Sequence, residues 1–145
     1  MSPDGSFAIG VASYSDHRPG RQEPLPRIYV PFRLDGVNTW HLALLDTGGH
    51  YCILSPELAE AMSDRLVHRL GPSELWTAQG RVQGALYRHR IELIAEEGVN
   101  LGVDATVLVS PAWRGSTIIG YTGVLDRMRF AVDPQRNRFY FGPSV

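Results

Sequence analysis

The sequence has few of the features that mark an extracellular or membrane-bound protein. Its one cysteine, Cys52, rules out an intrachain disulfide and favours a reducing compartment. The first twenty residues lack the basic start and the apolar run of a secretory leader. No stretch approaches the roughly 18 uninterrupted apolar residues of a membrane span. We therefore expect a soluble, cytoplasmic protein.

The sequence also lacks an excess of charge of either sign. Fourteen Lys and Arg residues face fifteen Asp and Glu residues, which gives a formal net charge of −1. Because nucleic acids and anionic membranes recruit basic surfaces, we expect neither as a partner. No metal or other cofactor is predicted, since zinc-ligand spacing is absent among the five histidines, His17, His41, His50, His68 and His89.

The single thiol allows two interpretations. Cys52 could act as a nucleophile, but Tyr51, Ile53 and Leu54 around it form a strand-like apolar run. A free cysteine behaves as a small hydrophobic residue. A packed, unreactive thiol is therefore the favoured interpretation.

Turn residues and short alternating segments predict a β-rich fold. Fifteen glycines and ten prolines in 145 residues indicate many turns. Apolar residues alternate along 28–34 and 99–109, the period of half-buried strands. Asp35-Gly36 predicts a two-residue hairpin into a strand over 37–45, and Asp133-Pro134 predicts another hairpin.

Helix signals are few. Ser55, Pro56 and Glu57 supply an N-cap, a first-turn proline and a first-turn acid, which together predict a short helix. The segment "YTGVLDRM" predicts one or two further helical turns. The sequence therefore predicts an all-β protein with one or two short helices.

The N-terminal part differs in composition from the rest. Residues 7–14 could form a strand whose role stays open, with packing on its own chain as the simplest alternative. The proline-rich "SDHRPGRQEPLP" behind them is typical of a linker. We therefore divide the chain into an N-terminal arm or extra strand with a linker, residues 1–26, and a main domain, residues 27–145.

One acidic residue stands out. In "LALLDTGGHYCIL", Asp46 follows an apolar run and precedes Thr47, Gly48 and Gly49. Taken alone, Asp-Thr-Gly is compatible with an ordinary turn. A second apolar segment ending in glycine, "IIG" at 118–120, occurs later in the chain just before the second helix signal.

These two segments, in this order, resemble the signatures of the retropepsin-like aspartic proteases, a single-domain family. The likeness covers about residues 27–142: "LLDTGGHYCIL" matches the first signature and "IIGYTGVLDRMRFAVD" matches the second. "GYTGVL" is one residue longer than usual and contains Gly123, so the helix there is expected to differ. Between the signatures, "LWTAQGRVQGALYRHRIEL" lies where the family has its flap hairpin, with Gly80 near the tip. The resemblance implies a closed β-barrel, the acid-protease fold.

The resemblance also implies hydrolysis of peptide bonds in a peptide or protein substrate. Two carboxylates that share one proton can act as base and acid together, because like charges this close cannot both ionise. The chain has one Asp-Thr-Gly, so the second catalytic aspartate must come from another copy. This predicts a homodimer in which Asp46 meets Asp46 across a two-fold axis.

By the same resemblance, Thr47 supports the active-site loop across the dimer axis and Gly48 keeps the backbone close to the carboxylates. The implied substrate-binding residues are Gly49, Ala78, Gln79, Gly80 and Trp113. The second motif consists of Ile118, Ile119 and Gly120.

Some assignments stay open at this stage. His50 could contact substrate, although a polar position beside the loop is favoured. Trp76 is equally compatible with the cleft and with the core. A non-catalytic peptide-binding or dimerisation module, or a regulatory domain on the same scaffold, is the alternative to an endopeptidase.

Overall fold

The computed structural model describes residues 6–17, 20, 27–77 and 80–145, and these form an almost entirely β structure. Its strands are β1 (Gly10–Ser13), β2 (Tyr29–Leu34), β3 (His41–His50), β4 (Cys52–Ile53), β5 (His68–Thr77), β6 (Gly80–Leu93), β7 (Glu97–Gly98), β8 (Leu101–Val109), β9 (Ile118–Thr122), β10 (Met128–Asp133) and β11 (Arg138–Pro143). One short helix, α1 (Pro56–Ala61), and one 3₁₀ turn (Leu125–Arg127) complete it. The prediction of an all-β chain with one or two short helices is confirmed.

The larger sheet closes on itself. Its strand order is β2-β3-β9-β4-β8-β6-β5, and β2 also pairs with β6 through Phe32–Leu93 to Leu34–Ile91. Six strands therefore form a barrel, and β5 adds to β6 as an outer strand that continues the sheet. The predicted closed barrel is confirmed.

The barrel surrounds a core of aliphatic and aromatic side chains. Phe32, Leu34, Ile91 and Leu93 are fully buried where β2 meets β6. Cys52 is also fully buried in this core, and desolvation raises the pKa of its thiol from 9.0 to about 12. The packed-thiol interpretation is confirmed.

A second sheet, β10-β11-β1-β7, joins the two ends of the chain. Gly10 to Ser13 of β1 pair with Phe141 to Arg138 of β11, and the other edge of β1 pairs with β7. The N-terminal strand therefore packs on its own chain, which was the simplest of the alternatives left open by the sequence. Residues 18, 19 and 21–26 of the predicted linker lie outside the described residues, and the division at residue 26 stays a prediction.

The first hairpin differs from the prediction. Asp35 and Gly36 do form a turn, in which the Val37 N–H donates to the Leu34 carbonyl (3.0 Å) and Gly36 has φ +91°. The next strand, however, begins at His41, so the two-residue hairpin is wrong. The end of β2 leaves β3 to pair with β6, and the chain needs residues 35–40 to return.

The helix signals had mixed outcomes. The Ser55 hydroxyl caps α1 by accepting a hydrogen bond from the Leu58 N–H (3.4 Å), and Pro56 is the first helical residue, as predicted. The second signal gives only the 3₁₀ turn. Gly123 (φ +84°) donates its N–H to Asp126 (2.9 Å), and β10 begins directly after Arg127.

Candidate active site

Asp46 lies where the chain crosses over strand β9. β3 runs parallel to one side of β9, with Leu44 beside Ile118 and Asp46 beside Gly120. After the crossing at residues 47–51, β4 lies antiparallel on the other side of the same strand. The two sequence motifs are therefore brought together, with Asp46 and Gly120 as neighbours at the last position before the pairing becomes irregular.

Position 120 must be a glycine because the backbone of the crossing segment passes very close to it. A Cβ at this position would lie 2.5 Å from the Tyr51 carbonyl oxygen. The Gly120 N–H donates to that carbonyl (2.8 Å), and the Tyr51 N–H donates to the Thr122 carbonyl (2.8 Å). These two bonds hold Tyr51 in a left-handed conformation, φ +63°, which is uncommon for a residue other than glycine.

The Asp46 carboxylate is half-buried and is oriented from its own loop. Its Oδ1 accepts a hydrogen bond from the Gly48 N–H (3.1 Å). A Cβ on Gly49 would lie only 2.8 Å from Oδ2, whereas one on Gly48 would make an ordinary contact of 3.6 Å with Oδ1. The tightest backbone approach to the carboxylate is thus at Gly49. Thr47 and Gly48 are exposed, on the surface that a second chain could reach.

His50 closes the loop on the far side. Its Nδ1 lies 2.9 Å from the Thr122 hydroxyl, and the side chain is exposed at the end of β3. β9 advances two residues, from Gly120 to Thr122, while β3 advances from Asp46 to His50. The intervening residues therefore bulge away from β9.

A hairpin of β5 and β6 forms the candidate flap. Thr77 pairs with Gly80, which has φ +100°, so Gly80 stands at the tip as predicted. Ala78 and Gln79 lie outside the described residues. The hairpin begins at His68, earlier than Leu75, where the segment matched to the flap starts. Gly71 and Pro72 hide the first part of β5 in the sequence, although an outer strand tolerates both.

The two tryptophans have opposite environments. Trp113 is only 5% exposed and its indole N–H donates to the Ser116 carbonyl (3.0 Å). Trp76 is 79% exposed, so core packing of Trp76 is wrong. It pairs with Arg81 on one face of the hairpin, while the adjacent pair, Leu75 and Val82, faces a hydrophobic cluster that includes Trp113.

Sequence reasoning missed some residues that shape this site. Tyr51 carries the unusual backbone conformation of the crossing, and nothing in its residue type signals that. Leu44 could have been found, because it is two residues before Asp46 and strand alternation places both on one face.

Two general properties bear on the environment of the site. In the part of the chain that the structure describes, no helix is long and apolar enough to cross a membrane. Within those same residues, no group of three His, Cys, Asp or Glu side chains is placed to hold a metal ion.

The comparisons with known proteins identify the fold. No protein-family model matches the chain, and no curated protein sequence matches it. Among solved structures, the chain is similar to a retropepsin-like aspartic protease from Rickettsia conorii, with a TM-score of 0.57 and 16% sequence identity. The match covers 91% of this chain and 98% of that one. This chain therefore has the retropepsin-like acid-protease fold.

Proposed function

We propose that the chain is an aspartic endopeptidase that works as a homodimer, with Asp46 from each copy forming the catalytic pair. The observation that carries this proposal is the placement of Asp46. Its carboxylate is carried by β3 beside Gly120, just before the strand bulges away from β9, accepts one backbone hydrogen bond, and is accessible to solvent. A carboxylate in a structural turn would not need this crossing of strands around it.

The chemistry follows from two carboxylates that share a proton. The ionised one takes a proton from water as the water oxygen bonds to the carbonyl carbon, and the protonated one gives its proton to the carbonyl oxygen. The resulting diol collapses: the C–N bond breaks, the nitrogen receives the proton taken from water, and one hydroxyl proton returns to the other carboxylate. The pair is then ready for another turnover.

We propose a second copy because Asp46 alone has the sequence context of a catalytic aspartate. Asp126 accepts the Gly123 N–H (2.9 Å) and Asp133 accepts the Gln135 N–H (3.1 Å), so both serve local turns. Asp35 lies in the turn after β2. Only Asp46 follows an apolar run and precedes a Thr-Gly pair.

The second copy would meet the loop surface around Asp46. Strand β1 is paired on both edges within its own chain, by β11 and by β7, so it is not free to pair with another copy. Thr47 and His50 are exposed around the crossing. We expect this surface to lie at the dimer interface.

Asp46→Asn tests the assignment directly. The amide has nearly the shape of the carboxylate but cannot accept a proton from water, so peptide cleavage should fall by at least ~10²–10⁴-fold. The melting temperature and the sedimentation behaviour should change little. Unchanged turnover in the purified variant rules out Asp46 as the catalytic acid and base. A wild-type protein that binds peptides without cleaving them would instead support the non-catalytic module.

A further inference from the structure

The two faces of β3 pack into different clusters. Ala43 and Leu45 contact the main barrel core, whereas Leu44 packs against a second cluster. Pairing with β9 is regular from Leu44 to Asp46, so strand alternation places Asp46 on the same face as Leu44, about 7 Å farther along. The second cluster therefore lies on the side of the sheet to which Asp46 points.

This second cluster connects the flap hairpin to the strands beside Asp46. Its buried members are Ile53, Val82, Leu108, Trp113 and Ile118. Ile118 is the register partner of Leu44 on β9, and Val82 lies on β6 near the flap tip. On the face of the sheet to which Asp46 points, the flap hairpin thus packs through this cluster against β9, and Trp113 is the largest of its buried side chains.

Hydrogen bonds hold Trp113 at its indole ring and at its backbone. The indole N–H donates to the Ser116 carbonyl (3.0 Å), and the Trp113 backbone N–H donates to the Ser110 carbonyl (3.3 Å). The Ser110 hydroxyl in turn donates to the Gln83 carbonyl of the flap strand, which ties this loop to the hairpin (2.5 Å). The loop that carries the indole is thus held in place, and a bound side chain can displace the indole only by breaking its hydrogen bond to Ser116.

We infer that Trp113 restricts the substrate to small side chains, such as alanine, serine or glycine, at the residues flanking the scissile bond. This inference rests on the proposed function. A peptide stretched between flap and Asp46 turns alternate side chains toward the cluster, where the indole already occupies the volume that a large side chain would need. In a two-fold symmetric dimer, the same restriction applies on both sides of the bond.

The test is a set of matched peptides that differ only in the residues flanking the cleaved bond: Ala, Val, Leu or Phe. For the wild type, kcat/KM should be at least ~10-fold higher with Ala than with Phe. Trp113→Ala opens the space and should lower this Ala/Phe ratio by about 10–200-fold. Trp113→Phe should fall between the two. Each ratio is measured within one preparation, so it does not depend on the fraction of variant that folds.

Trp76→Ala is the matched control. It removes the same side chain from the opposite face of the flap hairpin, where Trp76 is exposed, and should leave the Ala/Phe ratio unchanged. A wild type that prefers Phe, or a ratio that Trp113→Ala and Trp113→Phe both leave unchanged, overturns this inference and leaves the peptidase proposal standing. A wild type that cleaves none of the peptides, nor a random peptide pool, overturns the proposed function and this inference with it.

Discussion

At the scale of single residues, the Asp46 loop leaves no room for a side chain at Gly49. A Cβ there would lie 2.8 Å from Asp46 Oδ2 and 3.1 Å from its carboxyl carbon. Gly49 does not have a left-handed backbone, so alanine would meet no conformational penalty, and the constraint is a contact with the carboxylate alone. Relief of that contact requires the carboxylate to turn or shift.

We therefore expect Gly49→Ala to reduce activity more than stability. A displacement of a reacting group by about 1 Å can cost about 10²-fold in rate, so kcat/KM should fall by about that factor with a small change in melting temperature. Gly102→Ala is the control, because its Cβ would displace only the flexible end of the Arg90 side chain. Equal activities for the two variants would show that the Gly49 contact does not matter.

Cys52 makes the free energy of unfolding depend on pH, and the direction of this dependence follows from burial of the thiol. Burial raises the pKa of its thiol from 9.0 to about 12 in the folded chain, while the unfolded chain releases the proton near 9. The stability that the protonated, buried thiol contributes to the folded chain is therefore fully present below pH 9 and is lost as the pH rises toward 12. The free energy of unfolding should fall by up to roughly 1.4 kcal/mol per pH unit in that window because of this group.

Denaturant unfolding of the wild type and of Cys52→Ala between pH 8 and 10.5 measures this contribution. The difference between their unfolding free energies should shrink with rising pH above 9. A difference that stays constant would mean that the thiol ionises equally in both states.

At the scale of elements, the flap hairpin has two glycines in left-handed conformations, one at each end of β5–β6. Gly80 (φ +100°) is at the tip and Gly71 (φ +138°) is near the base, and neither would have an atom within 4 Å of an added Cβ. Residues 80–84 pair with β5 alone, since pairing of β6 with β8 begins at Ala85. Val82 and Gln83 anchor this segment to the second cluster and to Ser110, whereas Gly80 at the tip has open space around it, which leaves the tip itself room to close over a substrate.

Valine at either glycine should cost about 1–3 kcal/mol of stability, because a β-branched residue is strained at positive φ. Gly80→Val should also lower the kcat/KM of the folded enzyme, whereas Gly71→Val should not. Peptide cleavage and thermal unfolding of both variants separate these effects. If both variants lose stability and keep full turnover, Gly80 is not part of a functional flap.

Much of the element pattern follows from local sequence. The cap formed by Ser55, the hairpin at Asp133 and the alternation of β8 depend on nearby residues alone. The path after Gly36 could not be foreseen, because it depends on whether the end of β2 pairs with β3 or with β6. The environments of Trp76 and Trp113 could not be predicted either, because they depend on the hairpin register and on packing across the barrel.

At the scale of the whole molecule, the fold brings Asp46, the proposed catalytic residue, to a half-buried position that solvent reaches. The motif residues of β3 and β9 could be located from sequence because their residue types and order are characteristic. Their contact could not be derived from either segment alone, since it requires the parallel pairing of two strands far apart in the chain. Under the proposed function, a complete catalytic pair requires a second copy, and activity is then a property of the dimer.

The most direct test of this account is the specific activity of the wild type over a dilution series, measured alongside sedimentation of the same samples. Below the dissociation constant of the dimer, the cleavage rate should rise with the square of the protein concentration, because only paired chains hold two Asp46 carboxylates. Specific activity that stays constant at concentrations where sedimentation shows only monomer would contradict the account.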